Sequence, residues 1–242
     1  MRRRFFVEGF EGSAATVRGE TAEHLGRVLR AEPGQLYELS DGKSVWLGRI
    51  ERVKKLNGSH AVEFALIEPI EVRPSSLRVQ LLVAVVKFDR LEWCLEKAAE
   101  LGATDVVPLA AARSEKRLVA GAAKRSQRWA KILVESAQQA RRLRPPSLEV
   151  VMKPQAAFAE SAASCKIILS ERPDARSFRS AQMACGGTSI ALAIGPEGGW
   201  TDEELAAARG AGFLEASLGE SILRTETAVV SALAIVRYAL GE

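Results

Sequence analysis

Apolar and polar positions change rhythm about a third of the way along this 242-residue chain. Residues 4–7, 35–40, 45–53 and 61–67 are short runs rich in β-branched and aromatic side chains. Turn signals separate them, the strongest being Asp41-Gly42 and Asn57-Gly58. The pattern predicts a small β-barrel with one helix around residues 22–29. Two prolines and two serines in 68–76 then mark a boundary. Beyond it, 77–86 reads as a strand buried on both faces, the kind found in parallel sheets. Leu91, Leu95, Ala98 and Leu101 follow at helical spacing, with Gly102 in the stop position. Strands over 105–109, 166–169 and 189–194 alternate with helices over 124–140, after Thr201 and over 225–240. Thr201 and Glu204 have capping-box spacing. Strands alternating with helices predict an α/β domain with a mostly parallel sheet. The domains expected are 1–72 and 73–242.

Composition narrows the setting. No apolar run approaches the roughly 18 residues of a membrane span. MRRRFFVEGF starts like a signal peptide, but Glu8 and Glu11 interrupt any apolar core. Cys94, Cys165 and Cys185 are far apart and only His24 and His60 accompany them. No metal site and a reducing, cytoplasmic location are therefore expected. Net charge is +4, unevenly spread: 113–144 holds ten Lys or Arg against Glu115 and Glu135. Such a run suits a phosphate-rich partner or, equally, a solvated helix face.

The chemistry concentrates in two loops. Gly195-Pro196-Glu197-Gly198-Gly199 follows a strand, but lacks the GK[ST] of a phosphate loop and the G-x-G-x-x-G of a dinucleotide site. Its glycines permit close backbone approach to a ligand; a tight turn with an exposed acid is the plainer alternative. In 218–228, Leu218, Ile222 and Leu223 need a surface to cover, either core or an adenine ring. Arg224 precedes a helix whose N-cap is expected at Thr225, where a cation opposes the helix dipole. Glu226 in the first turn could hold it.

IGPEGG (194–199) and LGESILRTETA (218–228) resemble the two signature loops of the RsmE family, the ribosomal RNA uridine-N3 methyltransferases. The likeness extends over most of the chain. Arg3-Arg4-Phe5-Phe6-Val7 and His24-Leu25-Gly26-Arg27-Val28-Leu29-Arg30 resemble the family's N-terminal PUA-like barrel. Lys87, Lys97, Glu100, Leu101 and Gly102 resemble a K…K-x-x-E-L-G segment, continued by Pro108-Leu109, Arg113-Ser114 and KILVESAQQARR (131–142). Phe88 and Ser221 depart from it, standing where glycine and arginine are usual.

The resemblance implies a PUA-like β-barrel, an RNA-binding domain, followed by a SPOUT-type domain whose parallel sheet ends in a trefoil knot. It implies S-adenosylmethionine (SAM), a homodimer, and methyl transfer to small-subunit (16S) ribosomal RNA. The cofactor would lie against Leu169, Ser170, Gly195, Pro196, Gly198, Gly199, Leu218, Gly219, Ile222 and Leu223. Arg224 would stabilise the uridine anion, with Glu197 or Glu226 accepting the proton or orienting Arg224. Arg3, Arg4, Arg27, Arg30, Arg125, Arg128 and Arg141 would hold RNA phosphates. A non-catalytic RNA-binding assembly factor is the alternative; His24 is either a phosphate-side or a packing residue.

Overall fold

The computed structural model describes residues 3–56, 59–72, 75–184 and 186–240. The Asn57-Gly58 turn, Arg73-Pro74 and Cys185 lie outside them. The chain folds as two compact units, Met1–Pro74 with Ala137–Pro145, and Ser75–Ser136 with Pro146–Glu242. A division at residue 72 alone misses the 137–145 segment, whose partners could not be read locally.

The first unit contains β1 (Arg4–Phe6), β2 (Ala14–Val17), α1 (Gly19–Glu23), β3 (Leu36–Ser40), β4 (Val45–Leu56) and β5 (Ser59–Ile70). The expected helix over 22–29 divides: α1 continues as a π-helical turn, His24–Val28, where Leu29 N–H donates to His24 carbonyl at 3.0 Å. The sheet order is β1-β3-β4-β5-β2, antiparallel except for β1 against β3. Phe5, Val17, Leu25, Leu39, Ile50, Val62 and Phe64 form its core. Arg4 is only 5% exposed and donates to Glu38 through Nε and Nη2, at 3.0 and 2.9 Å. Its Nη1 reaches the Arg141 carbonyl at 2.5 Å, and Ser40 Oγ reaches that of Leu143 at 2.6 Å. These bonds hold 137–145 to the sheet. A buried, paired guanidinium is unavailable to phosphate, so Arg4 is removed from the expected RNA contacts.

The second unit runs β6 (Arg78–Ala84), α2 (Phe88–Glu100), β7 (Asp105–Leu109), α3 (Lys116–Ala122), α4 (Ser126–Gln139), β8 (Ser147–Leu148), α5 (Pro154–Glu160), β9 (Cys165–Leu169), β10 (Arg176–Ser177), α6 (Phe178–Met183), β11 (Ser189–Ile194), α7 (Asp202–Gly210), β12 (Leu214–Ser217) and α8 (Thr225–Leu240). The last residues of α4 belong to the other unit. The expected helix over 124–140 is α4, and α3 before it was not expected; β8 and β10 are too short for any periodicity to reveal. Seven parallel strands in the order β10-β12-β9-β11-β6-β7-β8 form the sheet.

Both faces are covered, as the continuous apolar strands require. Leu81, Val83, Leu192, Ile194 and Ile167 face one core with α2 and α8; Leu82, Ala84, Ala191, Ala193 and Ile168 face the other. The small residues on that second face make room for Phe158, Trp200 and Phe213, which stack at 4.9–5.9 Å. Along α8, Val229, Leu233 and Val236 are buried, while Ala234 and Tyr238 are exposed. Cys94 is a free, buried thiol and Cys165 is disulfide-bonded, which corrects the expectation that the chain's thiols are all reduced.

Candidate active site

The loops after β9, β11 and β12 enclose a cavity of about 430 Å³ in the second unit. Ligands in open α/β sheets bind outside the carboxyl ends of the strands, and this cavity has that location. All ten residues expected to hold the cofactor line it: Leu169, Ser170, Gly195, Pro196, Gly198, Gly199, Leu218, Gly219, Ile222 and Leu223.

Backbone contacts set the cavity's shape. Trp200, buried directly behind the Gly-rich loop, donates its indole N–H to the Leu169 carbonyl at 2.8 Å, tying the β9 and β11 loops together. A Cβ on Gly195 would stand 3.0 Å from that indole, so the close packing favours glycine. Gly199 closes a turn onto the Pro196 carbonyl at 2.8 Å with φ +70°, in the left-handed region. Arg113 donates to the Gly198 carbonyl at 2.7 Å. Thr201 and Glu204 make both bonds of the capping box that starts α7. Glu204, 1% exposed, also accepts from Ala112 N–H at 2.8 Å, holding the loop after β7. Arg172 and Asp202, both on the cavity wall, form an ion pair.

The β12 loop joins this frame through Thr225, whose hydroxyl donates to the Gly195 carbonyl at 3.0 Å. Thr225 is therefore not the N-cap. Arg224 takes that position, its carbonyl accepting the Ala228 N–H at 2.9 Å. Leu218 and Leu223 pack partly on the core, while Ile222 is 77% exposed on the cavity wall. One loop thus faces both the core and the cavity.

The charged residues are arranged differently from expectation. Arg224 is exposed and, among the described residues, has no carboxylate partner. Glu226 does not hold it. Instead Arg90, near the start of α2, donates to Glu197 at 2.6 Å and stands 3.8 Å from Glu226. Glu197 keeps 43% of its side chain exposed; Glu226 keeps 18%, with Oε2 buried and unbonded. None of Arg224, Glu197 and Glu226 is on the cavity wall itself. Cys94 lies beside this group: burial, and then the charges of Glu226 and Glu197, push its thiol up to about 12.

Sequence reasoning missed Arg90, Trp200, Arg113 and Arg172. Trp200 had a signal, a tryptophan directly after a glycine turn, but nothing local indicated what its N–H would meet. The basic residues also fall into distinct states. Glu92 pairs with Arg128 at 2.8 Å and Arg125 at 3.6 Å, and its hydrogen bond pushes the Arg128 guanidinium above its ordinary value. Arg141 stands 3.5 Å from Glu38, and Arg3 meets His24 at 3.1 Å. Arg27 and Arg30 are exposed.

Residues 73–237 match the RNA methyltransferase domain family. Over 232 residues the chain is 32% identical to the ribosomal RNA small subunit methyltransferase E of Mycobacterium bovis, spanning 93% of this chain and 86% of that one. The Bacillus subtilis protein of that name is 28% identical, over 98% and 96%. Among solved structures, a Legionella pneumophila protein in complex with the bound cofactor SAM superposes with a TM-score of 0.86 at 32% identity, covering 99% of this chain and 98% of that one. The Neisseria gonorrhoeae ribosomal RNA small subunit methyltransferase E bound to S-adenosyl methionine gives 0.85 at 29% identity, over 99% and 98%. With a parallel sheet of this order and a separate mixed sheet before it, the chain has the SPOUT-type fold class and belongs to the RNA methyltransferase family.

Proposed function

We propose that this protein is a SAM-dependent methyltransferase acting on N3 of a uridine in small-subunit (16S) ribosomal RNA. The carrying observation is the cavity built from three loops at the carboxyl ends of adjacent parallel strands. Its walls fit a bent nucleoside-amino acid. Gly195 and Gly198 pack so closely on Trp200 and Arg113 that a Cβ would stand 3.0 and 3.2 Å from them, which keeps bare backbone at the cavity wall. Leu169, Ser170, Gly195–Gly199 carbonyls and amides and Leu218–Leu223 would hold it, with Ile222 against adenine. SAM, when bound, supplies an electrophilic methyl group.

The chain's own side chains must deprotonate and stabilise a poor nucleophile. Uridine N3 carries a proton and a delocalised lone pair; losing the proton gives an anion spread onto the two flanking carbonyl oxygens. Arg224, exposed and without a carboxylate partner among the described residues, is assigned to that anion. Glu197, the more exposed of the two carboxylates, is assigned to accept the proton. Glu226 takes a supporting role. The uridine leaves its stack to reach the methyl group.

Residues 1–72 serve as a PUA-like RNA-binding domain, with Arg3, Arg27 and Arg30 on phosphates; Arg125, Arg128 and Arg141 contribute less because carboxylates already hold them. The second row of α8, half-buried Val230 with exposed Ala234 and Tyr238, forms a homodimer interface. The substrate places the protein in the cytoplasm, and no described helix is long and apolar enough to cross a membrane. Mass spectrometry of 16S ribosomal RNA from a deletion strain tests the reaction. A 3-methyluridine should vanish, return with the wild-type gene and stay absent with Arg224→Gln. Its persistence in the deletion strain would overturn the assignment.

A further inference from the structure

Outside the cavity lining, two carboxylates approach one guanidinium. Glu197 is the only residue of the Gly195–Gly199 loop that does not line the cavity, and Glu226 lies in the first turn of α8, two residues after Arg224. Arg90 reaches both from α2, at 2.6 Å through Nη1 and 3.8 Å through Nε. The same two segments meet once more where Thr225 donates to the Gly195 carbonyl. The neutral hydrogen bond, part-buried, fixes the loops at the cavity, and the charged one, more exposed, fixes them a second time.

The geometry points to Arg90 as a positioning residue that sets the separation of the Gly-rich loop from the start of α8, and so places Glu197 and Arg224 relative to each other. This inference rests on the proposed methyl transfer for its catalytic meaning, but the clamp exists in the protein alone. Three facts support it. Arg90 is anchored in α2, whose Leu91, Cys94 and Leu95 are fully buried, so the guanidinium is held by the core rather than by a mobile loop. Without it, two carboxylates that now share a cation would face each other, and Glu226 Oε2, buried and already without a hydrogen-bond partner, would lose the only counter-charge its carboxylate has among the described residues. Finally, Arg224 has no carboxylate partner to orient it, so its placement depends on the backbone at the α8 start. A guanidinium spans two acceptors where an ammonium, a point charge, favours one.

Hydrogen exchange on the unliganded protein reads the clamp without reference to activity. In Arg90→Gln, the amides of Gly199 and Ala228 should exchange at least about tenfold faster while those of β6 stay protected, as for local rather than global opening. Unchanged exchange in a folded Arg90→Gln protein would overturn the inference, even if the wild type transfers no methyl group. With an active wild type, kinetics adds a readout that a structural role would not move. Arg90→Gln should lower the rate at saturating SAM and RNA by about tenfold or more, with SAM affinity changed by less than about threefold. Arg90→Lys should recover part of that rate. Loss of SAM affinity in parallel with rate, or a full rate in Arg90→Gln, would remove the positioning role. If Arg90→Gln fails to fold, Arg90→Lys carries both measurements: faster exchange at Gly199 and Ala228 is expected, and wild-type exchange together with wild-type rate refutes the two-carboxylate clamp.

Discussion

The glycine-bearing loops of the cavity and the basic run from 113 to 144 both stood out in the sequence, the loops more specifically, and the structure treats them differently. The loops keep what their composition promised. Gly195 packs where a Cβ would be tight and Gly199 takes a φ that favours glycine, and their neighbours line one cavity. Part of the basic run is already engaged: Arg125 and Arg128 share Glu92, Arg141 stands beside Glu38, and Arg113 is bonded to the Gly198 carbonyl. A backbone site is specified by residues adjacent in sequence, so it survives in the sequence as a motif. A charged surface depends on which acids the fold brings near, and Glu92 and Glu38 are distant in sequence from the arginines they neutralise.

The comparison can be broken most severely at Arg224, a cation with no carboxylate partner among the described residues. Arg224→Gln should reduce the saturated methyl-transfer rate by about a hundredfold, on the order of 2.7 kcal/mol of transition-state stabilisation. SAM affinity, measured by calorimetry, should change little. A rate within threefold of wild type would move anion stabilisation elsewhere. The next contrast sets exposed against paired arginines in RNA binding. Arg27→Gln with Arg30→Gln should lower the slope of log affinity against log salt by about 1.4 for single-stranded RNA, about 0.7 per phosphate contact. Arg125→Gln with Arg128→Gln should lower it by clearly less. Equal slopes for the two pairs would show that Glu92 does not withhold its partners.

Smaller effects test the frame. Thr201→Ala removes the hydroxyl that caps α7 and should cost about 1 kcal/mol in chemical denaturation. In the first unit, hydrogen bonds from the His60 side chain and backbone hold the Glu23 carboxyl below its ordinary 4.5. A carboxyl lowered by folding stabilises above its unfolded value, and that contribution fades as pH falls through the folded one. Glu23→Gln should therefore melt below the wild type at neutral pH, with the gap narrowing once pH drops below 4.5. A gap constant with pH would remove the charged contact from the account.

Most of the α/β unit was legible because its strands and helices announce themselves by period. β11 was read to the residue, the capping box of α7 was complete, and α8 begins and ends where its pattern does. The elements that escaped were those without a period. β8 and β10 have two residues each, and α3 is joined to α4 by a short 3-10 turn. Within the site, the cavity lining was legible because glycine, proline and apolar residues adjoin one another. Arg90 was not, because its two carboxylates lie more than a hundred residues further along the chain. The same distance misled the reading of Glu226, assigned to the neighbouring Arg224 when a closer guanidinium came from α2. The buried state of Arg4 was hidden for a like reason, since Glu38 reaches it only through β1–β3 pairing.

The central claim is that the loops after β9, β11 and β12 hold SAM through their backbone, and calorimetric titration of SAM into wild type and Gly195→Val tests it most directly. A valine Cβ would stand 3.0 Å from the Trp200 indole, forcing the ring off the Leu169 carbonyl and separating two of the three loops. The wild type should bind one SAM per chain. Gly195→Val should show no measurable binding while still melting cooperatively. Wild-type affinity in that folded variant would contradict the account and place the cofactor outside this cavity.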